Sequence, residues 1–259
     1  MKGLGARALK EWLPPAALFV VAVVGWQQAV NVFDIQRFLL PRPTAIFASW
    51  HEQWGELWSA GWYTFQEALW GFAVGCGAGI AVALVLARWR PLGTALMPYA
   101  IAANAVPIIA FAPIANAWFG IDQGSKIAIA AVLCFFPVMI NMLRGLTSVH
   151  PSSLELMRSY AAGNFAVFRK VRVPNSLPYL FSSLKVASVL AMIGAIVGEY
   201  FGGALTSLGI QIKSAAALFN FETAWAAIIV ACVLGIAFYL AVSLAEKLAM
   251  RIYPARGAQ

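Results

Sequence analysis

Lys126 to Leu146 reads Lys-Ile-Ala-Ile-Ala-Ala-Val-Leu-Cys-Phe-Phe-Pro-Val-Met-Ile-Asn-Met-Leu-Arg-Gly-Leu. Charge enters only at Lys126 and Arg144, and no acidic residue interrupts the run. A bilayer core takes ~20 mostly apolar residues as one helix. Apolar and polar residues do not alternate, so the run is not a half-buried strand, and a helix pairs every backbone amide and carbonyl within its own segment. Upstream, only Gly120-Ile121-Asp122-Gln123-Gly124-Ser125 separates it from a second run, Leu96–Phe119, which makes a tight hairpin of the two. Further out, Pro14–Val32, Phe65–Ala87, Leu177–Phe201 and Thr223–Leu248 have the same character. The expectation is an all-α membrane protein of six transmembrane helices, a single domain over residues 1–259.

Composition agrees. Hydrophobic residues make up 62% and charged residues 11% of the 259, where a soluble domain carries ~25% charged residues. An ordinary soluble enzyme, a disordered chain and a disulfide scaffold are all excluded. With the N-terminus inside, the inner side holds Lys2, Arg7, Lys10, Arg88, Arg90, Arg144, Arg158, Arg169, Lys170, Arg172, Lys185, Lys247, Arg251 and Arg256, while Arg37, Arg42, Lys126 and Lys213 lie outside. Such an excess of cations on one side orients a membrane chain with that side in the cytoplasm. Both termini are therefore expected to be cytoplasmic. The net charge of +8 reads as topology, not as nucleic-acid binding. A signal peptide is the other reading of the first segment, but its apolar run is long and no small-x-small cleavage site follows.

Cys76, Cys134 and Cys232 sit in apolar runs at wide spacing, as buried small residues do, and neither a metal site nor a disulfide framework is expected. His51 and His150 lie outside the apolar segments, on opposite sides. There is no P-loop and no pair of acids at catalytic spacing. No catalytic residue and no cofactor is assigned. In the first outer loop Trp50, Trp54, Trp58 and Trp62 recur every four residues. On a helix they share one face, which either lies at headgroup level on the bilayer or packs on the protein's own outer surface.

The inner loop, about residues 150–175, opens on His150-Pro151-Ser152-Ser153-Leu154-Glu155. Ser152 and Glu155 have the spacing of a capping box, so a short helix is expected from Ser152. It should fade near Ala162-Gly163-Asn164. A second short helix, Phe165 to Arg172, should stop before Pro174.

Glu155-Leu156-Met157, three residues, Ala161, nine residues, then Val171-Arg172-Val173-Pro174 resembles in register the EAA loop of bacterial ATP-binding-cassette importer permeases. There the pattern is Glu-Ala-Ala, three residues, Gly, nine residues, Ile-x-Leu-Pro. Leu40-Pro41-Arg42-Pro43 resembles the first outer loop of the nitrate/sulfonate/taurine permeases. Val106-Pro107, Ala112-Pro113, Trp118-Phe119-Gly120 and Gly124-Ser125-Lys126 resemble their third-to-fourth helix hairpin. Phe135-Phe136-Pro137 with Asn141, and Ile193 to Glu199, resemble their fourth and fifth helices. The resemblance implies a non-catalytic permease subunit of the bacterial inner membrane, paired with a second copy and surrounded by lipid. Two cytoplasmic ATPases would bind the ATP and dock on the inner loop. A periplasmic or lipid-anchored binding protein would deliver a small solute: nitrate, a sulfonate, taurine, or a heterocycle such as a pyrimidine precursor or riboflavin. The strings Ala110-Phe111-Ala112-Pro113 and Cys134-Phe135-Phe136-Pro137 stand closer to the heterocycle branch. By the same resemblance Ser152, Glu155, Arg158, Ala161, Gly163 and Pro174 are the coupling residues.

Polar residues inside spans are costly and are functional candidates. Asn104, Asn116, Asn141, Glu67 and Glu199 are the candidates for a translocation path, with hydrogen bonding between helices as the alternative for the asparagines and interfacial exposure for the acids. Gly71, Gly75 and Gly79, and also Gly194 and Gly198, carry the spacing that lets helices approach closely, within the chain or across a dimer seam. Pro107, Pro113 and Pro137 should kink or break their spans. An ion-gradient-driven secondary transporter is the alternative function; it would show inverted repeats and a coupling ion site at the midplane, and neither is evident.

Overall fold

The computed structural model describes Lys2 through Ile252, with side chains from Leu13 to Arg251 apart from Arg90; Arg256 lies outside the described residues. Among these residues every regular element is helical. In order they are α1 (Lys2–Val32), α2 (Pro43–Glu52), α3 (Trp54–Arg88), α4 (Arg90–Asn104), α5 (Ile108–Phe119) and α6 (Gln123–Thr147). After the inner loop's α7 (Pro151–Ser159) and α8 (Asn164–Val167) come α9 (Val173–Tyr200), α10 (Leu208–Ala217) and α11 (Phe221–Ile252).

Five stretches are long and apolar enough to cross a membrane: Leu13–Val32, Trp54–Arg88, Gln123–Thr147, Asn164–Tyr200 and Phe221–Arg251. The sequence places a continuous sixth helix over Leu96–Phe119. The structure instead breaks it into α4 and α5, bent by 92°. The cause is local. Pro107 has no amide to donate and disfavours helical backbone at the residue before it. It caps α5 in an extended conformation (φ −64°, ψ 111°). Pro113 and Pro137, by contrast, lie inside α5 and α6, which run on past them.

The tryptophan stripe is also divided. Trp50 belongs to α2, Gln53 interrupts the helix, and Trp54 opens α3. Trp54, Trp58 and Trp62 therefore ride on the first turns of a spanning helix, not on a separate surface helix. They are about half exposed, at 45%, 42% and 52%, with Trp54 and Trp58 stacked at 5.3 Å and Trp62 on Phe65 at 5.6 Å.

The chain divides into two compact units. One comprises residues up to Trp58 with Gln211–Val230, the other Ser59–Ile210 with residues from Ala231 onward. In the first, Trp26 packs on Trp225 with ring centroids 5.2 Å apart. Gln27 Oε1 accepts from the amide and hydroxyl of Thr44, each at 3.3 Å. Gln53 Nε2 donates to Ser49 Oγ at 3.1 Å and Thr223 Oγ1 at 3.0 Å.

In the second unit α6 is the central element. A Cβ on Gly71 would run into Ala130, and one on Gly75 into the Ala131 carbonyl. At Gly79 it would stand 2.8 Å from the Phe135 carbonyl. The paired residue numbers rise together, so α3 and α6 run parallel. Gly194 meets Ala130 and Gly198 meets Lys126, so α9 runs antiparallel on another face of α6. Both glycine stripes thus serve contacts within the chain. From α11, Phe238 sits edge-on to Phe65 and Phe72, at 5.4 and 4.9 Å. Glu246 pairs with Lys185 of α9 at 2.7 Å.

Gly75→Ala is expected to cost about 1–3 kcal/mol by overpacking, because the obstructing atom is backbone. Gly77→Ala, on the open face of the same helix with nothing within 4 Å, is expected to leave stability unchanged or raise it. Thermal unfolding of the two variants in detergent makes the comparison.

Candidate functional site

Two regions bring together the residues singled out from the sequence: the inner loop and a buried polar cluster at the other end of the same helices. The loop helix α7 starts one residue earlier than expected. Pro151 takes the first helical position, where its fixed φ suits and its missing amide is not needed. His150 becomes the N-cap (φ −60°, ψ 135°), and its ring nitrogen Nδ1 accepts from the Ser152 amide at 3.4 Å. Ser152 Oγ lies 2.7 Å from the same nitrogen. A capping box links the N-cap to the third helical residue. With His150 as cap, Ser152 is second and Glu155 fifth, so the expected box does not form.

The turn after α7 is set by Ala161, whose φ is +48°. The Ala161 amide bonds to the Arg158 carbonyl at 2.8 Å and the Ala162 amide to the Met157 carbonyl at 3.0 Å. This left-handed residue stands where the EAA pattern has glycine, the residue that takes that backbone without a Cβ penalty. Gly163 is extended (ψ 163°) and opens α8. The second loop helix does not stop before Pro174. A wide turn, Phe168–Arg172, follows α8, closed by the Val173 amide on the Phe168 carbonyl, and leads straight into α9. Pro174 cannot donate to a regular ladder, and the wide turn carries the helix past it.

The base of the loop is fixed. Phe168, Val173 and Leu180 pack against Ala83, Ala100, Met142 and Leu146. Asn175 Nδ2 donates to the Gly145 carbonyl at 2.8 Å. The tip is bare. α7 has no buried residue, and Ser152, Glu155, Arg158, Ala161 and Gly163 are exposed while Pro174 is half-buried at the base. Leu156, Tyr160 and Phe165 are exposed by 56%, 74% and 74%. Three large apolar side chains on one short, rigidly based loop form a surface suited to a protein partner.

At the other end, Thr64, Glu67, Lys126 and Glu199 are all buried. Thr64 Oγ1 donates to Glu199 Oε1 at 2.7 Å, and the Gly209 amide donates to Glu199 Oε2 at 2.7 Å. The Leu208 amide donates to Thr64 Oγ1 at 3.1 Å. Thr64 and Glu199 thereby satisfy the first two amides of α10, a place where negative charge is stabilised. Glu67, one turn beyond Thr64 on α3, is buried with an Oε2 that has no hydrogen-bond partner among the described residues. Lys126 Nζ donates to Ser125 Oγ at 3.0 Å, Asn116 Oδ1 at 3.3 Å and the Ile121 carbonyl. Asn116 Nδ2 reaches the Phe201 carbonyl at 3.4 Å. Of the path candidates, Glu199 is held in the Thr64–Gly209 network, Asn116 belongs to the separate network of Lys126, and Glu67 is buried on α3. Asn141 donates within α6 to the Pro137 carbonyl at 2.8 Å, and Asn104 is exposed at the break between α4 and α5.

The sequence did not single out Thr64, Lys126, Gly209, Phe168 or Asn175. Lys126 reads as an outer-loop cation because it opens an apolar run. A signal was present in Gly198, one residue before Glu199, whose close fit onto Lys126 brings the acid to the lysine's helix.

This combination of broken and unbroken spans with an anchored, outward-facing inner loop defines a transporter membrane subunit. The chain belongs to the family of binding-protein-dependent transport system inner membrane components, which it matches over residues 75–251. It is a permease subunit of an ATP-binding-cassette importer and a multi-pass inner membrane protein. It is 30% identical over 251 residues to a riboflavin transport system permease of Chloroflexus aurantiacus, covering 95% of this chain and 93% of that one. A formylaminopyrimidine transport permease of Halalkalibacterium halodurans is 30% identical, with coverage of 91% and 94%. A putative aliphatic sulfonates transport permease of Escherichia coli is 30% identical, with coverage of 96% and 97%. Among solved structures, an amino acid ABC transporter with histidines shares the fold with a TM-score of 0.63 at 18% identity, covering 78% of this chain and 97% of that one.

Ala161→Gly is expected to stabilise the protein by about 1 kcal/mol by relieving the left-handed backbone. Glu199→Ala strands the Gly209 amide and the Thr64 hydroxyl in a buried site and is expected to cost about 3 kcal/mol. Glu199→Gln keeps an acceptor for the Gly209 amide and should lose less. Melting temperatures of the purified variants check both expectations.

Proposed function

We propose that two copies of this chain form the import pathway for a small heterocyclic solute, driven by two cytoplasmic ATPases docked on the α7 loops and supplied by an external binding protein. The observation that carries the coupling role is the contrast within the loop: Phe168 and Asn175 fasten its base, while Leu156, Tyr160 and Phe165 stand exposed beside Glu155 and Arg158. A short helix on a rigid base transmits movement of a docked ATPase to α6 and α9 as a rigid body. Ser152 and His150 fix the start of that helix, Ala161 and Gly163 its reversal, and Pro174 the entry into α9. ATP is bound and hydrolysed by the partner. In this orientation both termini and the loop face the cytoplasm.

For the solute, the heterocycle reading draws on the riboflavin and formylaminopyrimidine permeases among the relatives. It also draws on the state of the lysines within the spans. Lys126 is buried in its own network, and Lys185 is paired with Glu246, so neither is available to an anion. Asn104, exposed at the break between α4 and α5, is the candidate polar contact on the path. Thr64 and Glu199 shape the outer end of the path by holding α10, with Glu67 and Asn116 as its further candidate residues.

Glu155→Lys with Leu156→Asp is expected to reduce ATP-driven uptake at least tenfold and to weaken co-purification of the ATPase, while membrane insertion and thermal stability stay unchanged. The assay is uptake into vesicles holding the complex and its binding protein, with riboflavin, a pyrimidine and an alkanesulfonate offered separately. Full transport by the double variant would remove the coupling role. Uptake of the sulfonate alone would replace the heterocycle reading.

A further inference from the structure

A polar pocket of about 420 Å³ lies within the first unit, along α2 and the first residues of α11. Arg37, Arg42, Glu52 and Glu222 all line it. Among the described residues no ion pair joins these four side chains to one another or to any other group. Two of their atoms are buried without a hydrogen-bond partner: Arg42 Nε, which can only donate, and Glu222 Oε1, which as a carboxylate oxygen accepts. The neutral part of the lining is closed on itself. Gln53 Nε2 donates to Ser49 Oγ and Thr223 Oγ1, and Asn220 Oδ1 accepts from the Thr223 amide at 3.2 Å. The pocket therefore leaves open one buried donor and one buried acceptor of opposite charge. The exposed Arg37 and Glu52 add a second residue of each sign to the same lining.

A buried charged group left unpaired is costly. A ligand that meets both atoms carries an oxyanion and an N–H cation on one short linker. Depth selects its source. α1 ends at Val32, shortly before Arg37, and Glu222 is the second residue of α11, so the pocket sits at the ends of two spanning helices. Trp26 of α1 and Trp225 of α11, packed on each other near those ends, are of the residue type that marks headgroup level. We propose that the pocket holds the headgroup of one phosphatidylethanolamine lipid, its phosphodiester on Arg42 and Arg37 and its ammonium on Glu222 and Glu52. Guanidinium forks suit phosphate oxygens, and the ammonium supplies the N–H that Glu222 Oε1 lacks. A choline headgroup carries the positive charge with no N–H to give. A glycerol headgroup brings hydroxyls but no cation to the two glutamates. The lipid ties Arg42, just ahead of α2, to the start of α11. The site needs only the membrane-embedded chain, so its failure leaves the import reading standing, and the reverse also holds.

The test is native mass spectrometry of the full chain released from nanodiscs made of equal parts phosphatidylethanolamine, phosphatidylcholine and phosphatidylglycerol. The wild type is expected to retain one phosphatidylethanolamine with about a tenfold preference over either other lipid, the factor that one charge-assisted hydrogen bond contributes. Arg42→Gln with Glu222→Gln is expected to remove the preference. Glu52→Arg, at an exposed position and so tolerated by the fold, is expected to shift it toward phosphatidylglycerol, because arginines then outnumber glutamates on the lining. Equal retention of the three lipids by the wild type, or an undiminished preference in either variant, overturns the proposal. So does binding of free O-phosphoethanolamine or glycine by the detergent-solubilised chain without any lipid preference in nanodiscs, which would give the pocket to a soluble zwitterion.

Discussion

Close approach of backbones at α6 is the constraint on which the second unit depends. α3 brings a glycine face to it and α9 brings another, and at Gly75 the neighbour is the Ala131 carbonyl itself. In a membrane, lipid tails are as apolar as leucine, so helices gain little from hiding apolar surface and must gain from contact. Glycine lets α3 and α9 come close enough for dispersion to add up along the interface. Once those two helices are placed, other contacts follow. Glu199, one residue beyond Gly198, lands beside Thr64 of α3. Asn175, near the start of α9, meets Gly145 near the end of α6.

The five unbroken spans were legible because length and apolarity are one-dimensional properties. The glycine spacing was legible for the same reason. The break in the third span was marked by Pro107, but a proline alone does not tell a gentle bend from a turn of 92°. Pro113 and Pro137 are chemically identical, and their helices continue. What separates them is the extended backbone at Pro107 and the packing around it, which the sequence does not display.

The buried cluster was the least legible part. Glu67, Lys126 and Glu199 are distant in sequence, and each lies near a boundary that hydropathy alone assigns to the outside. They become a group only through packing of α3, α6 and α9. The inner loop was legible in spacing but not in detail. The same letters that suggest a Ser152–Glu155 box also contain His150-Pro151, and proline's preference for the first helical position moves the cap upstream to the histidine.

The wide turn at Phe168–Arg172 has a geometric consequence for the loop. It inserts one extra residue into a helix that otherwise continues to Tyr200. One residue corresponds to about 100° of rotation around a helix axis. The loop helices just upstream, α7 and its exposed Leu156 included, are therefore aimed at a compass bearing that depends on this one residue as well as on the contacts at the loop's base. A single deletion there would leave α9 seated on α6 while swinging the loop to another side of the helix. The bearing of the loop's exposed surface is in this way written as a count of residues in the turn beneath it.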